Sequence, residues 1–124
     1  MLKWVFAAAA LVAAPFAASA QDVEAGAGVF KKCAACHQIG AEAKNGLGPS
    51  LQCVAGKAAG HHEGFAYSDA VKNSGITWTD ENLLHWMEKD DAVIKGNKMI
   101  FPAGIKNEED RVNLLAYIKS TCKE

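Results

Sequence analysis

The sequence predicts an all-α domain with long loops. Apolar residues recur at helical spacing in three separate stretches, and no stretch alternates convincingly with period two. Glycines at 40, 46, 48, 56, 60 and 64 punctuate residues 37–68, where no hydrophobic period is sustained. No internal repeat is visible. The 124 residues suffice for one small domain with one core. Such a domain buries too little surface for a wide stability margin, so a bound cofactor or a covalent staple is expected.

Residues 1–20 read as a secretory signal peptide. Lys3 is their only charge, an apolar run extends from Trp4 to Ala14, Pro15 interrupts it, and Ala18-Ser19-Ala20 supplies a small-x-small cleavage site. The competing reading is an uncleaved anchor, because Trp4 to Ala20 is nearly long enough to span a bilayer. With cleavage, the mature domain is 21–124, no stable membrane insertion remains, and the destination is a bacterial periplasm. Loss of Lys3 leaves 12 basic against 14 acidic residues, a net charge of −2. This balance supplies no basic field for nucleic acid, and the half-apolar composition excludes a disordered tail.

In the mature region, Asp22 caps a helix over 23–33 whose inner positions are Val23, Ala27, Phe30 and Cys33. Gly26 and Gly28 each cost about 1 kcal/mol against alanine there, so another backbone is expected to pack close. Thr79, followed by Asp80, Glu81 and Asn82, opens a middle helix over 79–89 with Leu83, Leu84 and Met87 on its apolar stripe. Asn107 precedes Glu108, Glu109 and Asp110 at the positive end of a last helix over 108–121, which buries Leu114, Leu115 and Ile118.

The chemistry is carried by Cys33-Ala34-Ala35-Cys36-His37. Two thiols separated by two residues each add to a vinyl group of one haem, and the adjacent histidine is delivered to the iron. A redox dithiol and half a zinc site share the two-residue gap. The first would be expected near a βαβ pattern, and the second would need a further ligand that only scattered residues such as Cys53 or His61 offer. An electron-transfer haem also takes a second axial ligand, and thioether sulfur raises its potential. Met1 leaves with the signal, and Met87 lies on the apolar stripe, where methionine usually packs. Met99 lies in a loop shaped by Gly96, Asn97 and Pro102 and is the expected ligand. His61, His62 and His85 are its rivals, the pair reading as a solvated loop feature and His85 as lying beside the stripe. Cys53 and Cys122 remain over, and in an oxidising compartment an even pair forms either a disulfide or two separate thiols.

Across nearly the whole mature region the sequence resembles the class I cytochromes c, in the mitochondrial cytochrome c and cytochrome c2 branch. The resemblance is carried by Gly26 and Phe30, the haem motif, Gly48-Pro49-Ser50-Leu51, Gly75-Ile76-Thr77-Trp78, Lys98-Met99-Ile100-Phe101 and Leu114-Leu115-Ala116-Tyr117. It implies terminal helices that cross where Gly26 and Phe30 meet Leu114 and Tyr117, with loops wrapped around one covalent haem c. It implies that the Pro49 carbonyl fixes the His37 ring, and that Tyr67 and Trp78 bind a haem propionate. Lys57 falls where relatives carry an arginine near the propionates, and Asn97 replaces a threonine and is expected to donate to one of them. Trp86 replaces a tyrosine that donates to the methionine sulfur, and Val71 replaces a buried asparagine. Asp90 and Asp91 replace a lysine-bearing stretch while Lys95, Lys98 and Lys106 persist, so the docking face is of mixed sign.

The expected function is a monomeric, one-electron carrier with a six-coordinate His37/Met99 haem. Its partners would be redox proteins, either membrane complexes or a periplasmic dehydrogenase and its oxidase. It is not expected to be an enzyme, because saturated axial positions leave no place for substrate. The alternative is a small peroxidase-like or gas-binding haem protein with a labile sixth ligand.

Overall fold

The structure, a computed structural model, describes residues 21–123; the expected signal segment lies outside them. Five helices follow one another: α1 (Val23–Phe30), α2 (Asp69–Lys72), α3 (Asp80–Glu88), α4 (Asp90–Val93) and α5 (Glu108–Ser120). Among the described residues the only β pairing is an isolated antiparallel bridge between Ala58 and Thr77. No described helix is long and apolar enough to cross a membrane.

The longer helices begin where short polar side chains satisfy their free N–H groups. Asp22 Oδ1 accepts from Ala25 N at 3.0 Å, Thr79 Oγ1 from Asn82 N at 3.1 Å, and Asn107 Oδ1 from Asp110 N at 3.0 Å. α1 is shorter than its apolar period suggests. After Phe30 the chain continues as turns, and the Cys33 carbonyl accepts from both Cys36 N (3.1 Å) and His37 N (2.9 Å). α2 and α4, of four residues each, are absent from the sequence-based expectation because one turn carries no measurable period.

α1 and α5 cross in direct contact. A Cβ on Gly26 would overlap the Asn113 carbonyl and stand 2.8 Å from Tyr117 Cβ, so the backbones approach as closely as glycine permits. Phe30 packs on Tyr117 with ring centroids 5.6 Å apart, and buried Asn113 accepts from Asp22 N at 3.0 Å. This is the packing that the two glycines and the resemblance led one to expect for Gly26; Gly28 has open space beside it. α3 is tied to α5 by Lys119 Nζ on Asp80 at 2.8 Å, an exposed pair worth at most about 1 kcal/mol. Arg111 donates to the carbonyls of Ile105 and Lys106, both at 2.8 Å, joining α5 to the strap that precedes it.

Cys53 and Cys122 form a disulfide, with Cα atoms 4.7 Å apart and a sequence separation of 69. Gln52 Nε2 donates to the Lys123 carbonyl at 2.9 Å beside it. Cys53 is the single described non-glycine residue with positive φ, at 50°.

Two predictions follow from this packing, both read by denaturant unfolding of the haem-loaded protein. Gly26→Ala should destabilise it by about 2 kcal/mol or more, since the crossing helices must separate; an unchanged midpoint would contradict the close approach. Cys53→Ser/Cys122→Ser should cost roughly 4 kcal/mol through lost loop constraint. Cys53→Gly/Cys122→Ser should recover about 1 kcal/mol of that, because glycine takes positive φ freely.

Candidate functional site

The double acceptance by the Cys33 carbonyl makes residues 33–37 one helical turn. Positions i, i+3 and i+4 share a face of such a turn, so Cys33, Cys36 and His37 are presented together. All three line a cavity of about 510 Å³. Its inner wall is the core itself: Val54, Trp78, Leu83, Met87, Ile105, Leu114 and Ile118 are each buried and each line it. Leu47 and Ile100, 82% and 90% exposed, stand at its rim.

His37 is held by the loop that follows. Its Nδ1 lies 2.8 Å from the Pro49 carbonyl oxygen, which only accepts, so Nδ1 carries the proton and Nε2 keeps its lone pair. A Cβ on Gly48 would overlap the imidazole ring, so glycine is what lets this backbone lie against it. Burial pushes the His37 pKa down, against the raising effect of the Pro49 bond, and keeps the ring neutral as a metal ligand must be. The Cys33 thiol is pushed up, first by burial and then by Cys36, with Lys32 opposing. A nucleophilic redox dithiol needs the opposite shift.

Met99 also lines the cavity, on the loop between α4 and α5. Asn97 fixes this loop: its Oδ1 accepts from Met99 N at 2.9 Å, while its amide donates to Asp91 Oδ1 (3.1 Å) and the Ile94 carbonyl (2.9 Å). Both amide hydrogens are thereby used, which corrects the expectation that Asn97 donates into the site. Its side chain organises the methionine loop instead. Lys57 is exposed and is not among the lining residues; its carbonyl accepts from Trp78 N at 2.7 Å beside the β bridge.

Tyr67, Trp78, Trp86 and Val71 line the cavity together with Pro49. Trp78 and Trp86 meet edge to face with centroids 5.1 Å apart. The Tyr67 hydroxyl accepts from His62 N at 3.1 Å, and burial raises its pKa. Met87 packs as its place on the apolar stripe predicts and lines the cavity too, whereas His61 and His62 differ from the expected solvated loop feature, since both also line it. Their Nε2 atoms are buried without a hydrogen-bond partner. Glycines at 60 and 64 gave no sign of which way that loop folds. His85 instead borders a separate cleft of about 170 Å³ beside Glu88 and Arg111.

Among the described residues no group of three or more His, Cys, Asp or Glu side chains could hold a metal ion, and Cys53 is committed to its disulfide. Among these residues the zinc alternative finds no further ligands. A large apolar cavity with two thiols and a neutral imidazole on one turn fits a covalently attached haem.

Comparison with known proteins agrees. The cytochrome c family model matches residues 23–121. The chain is 50% identical to a cytochrome c2 of Blastochloris viridis over 119 residues, covering 96% of this chain and 93% of that protein. It is 54% identical to a cytochrome c2 of Rhodoblastus acidophilus over 99 residues, covering 80% and 92%. Among solved structures, cytochrome cH from Methylobacterium extorquens superposes with a TM-score of 0.74 at 40% identity, covering 80% of this chain and 98% of that one. Cytochrome c2 from Rhodospirillum centenum gives 0.76 at 34% identity, covering 82% and 99%. A chain that folds its attachment motif against such a cavity, and matches these proteins over most of its length, belongs to the cytochrome c family: it carries one covalently bound haem c and serves as an electron carrier, not an enzyme.

Proposed function

We propose that this protein is a monomeric, periplasmic one-electron shuttle whose haem is joined through Cys33 and Cys36 and ligated by His37 and Met99. Residues 1–20 are removed on export, and the partners are redox proteins of membrane complexes or a dehydrogenase and its oxidase. The observation that carries the reading is that both thiols, the Pro49-tethered His37 and the Asn97-tethered Met99 line one cavity.

When bound, the haem supplies a one-electron ferric/ferrous couple. The protein's own residues do the rest. The Pro49 carbonyl keeps the proton on His37 Nδ1, so that the Nε2 lone pair is directed by a fixed ring and its basicity is raised. Asn97 holds the backbone of Met99, which limits ligand movement between the two oxidation states. The core side chains around the cavity exclude water and lower the local dielectric. Tyr67 and Trp78 have polar tips suited to a buried carboxylate of the haem. With His37 and Met99 both held toward the cavity to ligate the iron, the site would leave no place on it for a substrate.

Asp90, expected on the docking face, is buried; the exposed charges near the methionine loop are Asp91 beside Lys95 and Lys98, a mixed set that makes steering toward a strongly acidic partner weak.

Met99→Ala should abolish the weak far-red absorption band of methionine-ligated ferric haem and lower the reduction potential by an amount on the order of 0.1 V. Survival of the band in the variant, measured on the purified oxidised protein, would exclude Met99 as ligand.

A further inference from the structure

Asn45 is the one asparagine of the sequence that is followed by glycine. The residue is exposed, yet its side chain ties together two loops. Oδ1 accepts from Ser50 N at 2.8 Å, and Nδ2 donates to the Glu63 carbonyl at 3.1 Å. Ser50 is buried and directly follows Pro49, whose carbonyl holds His37. Pro49 and Ser50 line the haem cavity from the first loop, and His62 and Phe65 line it from the second. Gly64 packs beside this latch: a Cβ there would stand 3.7 Å from Asn45 Nδ2.

Gly46 is not demanded by the fold. Its φ lies outside the left-handed region, and an added Cβ would meet only the Cys36 carbonyl oxygen, at an ordinary 3.7 Å. Gly48, two residues on, lies against the His37 ring and leaves no room for a Cβ. What glycine changes at position 46 is chemical. With no Cβ to hinder it and the widest backbone freedom, a glycine nitrogen reaches the side-chain carbonyl carbon of a preceding asparagine more readily than other residues do.

We propose that Asn45-Gly46 is a self-modification site, at which conversion of the asparagine to aspartate or isoaspartate undoes the latch between the two loops and loosens the wall of the haem cavity. The reaction itself stands on the sequence and the loop geometry. Its effect on the carrier rests on the haem-site reading above.

The step needs no oxidant or reductant. The Gly46 nitrogen attacks Asn45 Cγ, a new N–C bond closes a succinimide ring, and the Cγ–Nδ2 bond breaks. The side-chain nitrogen leaves as ammonia, taking up the proton that Gly46 gives. Water then opens the ring at either carbonyl, which yields aspartate or isoaspartate. In the closed latch neither group is free, because Nδ2 is on the Glu63 carbonyl and the Gly46 N–H donates to the Gly48 carbonyl at 2.9 Å. Reaction therefore requires both bonds to part, a local opening of loop backbone.

The products act on the latch in a directed way. Aspartate keeps an oxygen for Ser50 N and, being charged, accepts there more strongly. It has no hydrogen for the Glu63 carbonyl, so two acceptors face one another where a hydrogen bond had been. Isoaspartate lengthens the main chain by one carbon and moves the carboxylate onto Cα, away from both partners. The loop of His62 and Phe65 is released while aspartate still holds the loop of Pro49. Water admitted along that edge favours the more highly charged ferric centre, so the potential falls.

The test is incubation of the haem-loaded protein at neutral pH, with peptide mass mapping of its asparagines over time, and the same series on haem-loaded Gly46→Ala. Amide-to-acid conversion at residue 45 should outpace that at exposed Asn73, which precedes a serine, severalfold. Gly46→Ala should slow it severalfold and leave the far-red band unchanged. Haem-loaded Asn45→Asp supplies one product directly. It should show a lower reduction potential than the unmodified protein and faster amide hydrogen exchange at His62 and Tyr67, whose N–H groups bond within the second loop, with α5 unaltered. Residue 45 reacting no faster than Asn73, or an Asn45→Asp variant with either its potential or its loop exchange unchanged, would overturn the proposal. The far-red band of freshly prepared protein reports the His37/Met99 site separately: its absence would sink the ligation reading and leave the reaction at residue 45 standing.

Discussion

The hydrophobic core of this protein is a shell. Leu83 and Met87 from α3, Ile105 from the strap, and Leu114 and Ile118 from α5 are buried against one another and also form the wall of the cavity. Filling that space with haem is therefore the same act as completing the core. Side chains that would make contacts across a solid interior instead reach the cofactor, so lost dispersion contacts fall chiefly on α3 and α5 when it is absent. The crossing of α1 and α5 at Gly26 is the main helix contact that does not need the cofactor, and it brings the attachment turn to the edge of the shell.

Two backbone tethers convert that shell into a site. The Pro49 carbonyl settles the tautomer of His37, and the Asn97 amide organises the loop of Met99. The bond from His37 to Pro49 and the bond from Met99 N to the Asn97 amide oxygen are both between neutral groups, so these two contacts are little altered by salt or by haem charge. Preorganisation of this kind keeps reorganisation small when an electron arrives, which is the property an electron carrier needs in place of a substrate pocket.

The parts legible from sequence were those with a local cause. The attachment motif carries its own spacing, the caps at Asp22, Thr79 and Asn107 lie beside the runs they start, and Gly26 announces a close approach. The one-turn helices α2 and α4 have no period to read. The roles of Asn97, Lys57, His61 and His62 depend on how loops fold back on one another. Asn97 bonds to Asp91 six residues away, and nothing in its composition distinguishes that from a donor turned inward. The two histidines lie in a glycine-punctuated loop whose direction is set by the Ala58–Thr77 bridge and the packing of Gly60 on α2, both long-range contacts.

The disulfide has a topological consequence. Cys53 lies just beyond the Pro49 loop and Cys122 just beyond α5, so every helix except α1 belongs to one closed covalent ring. Proteolytic cleavage at any single peptide bond inside that ring leaves the two pieces linked. The segments bearing Tyr67, Trp78 and Met99 would remain attached to the rest of the molecule even after such a nick. A broken backbone in this region need not mean a lost carrier.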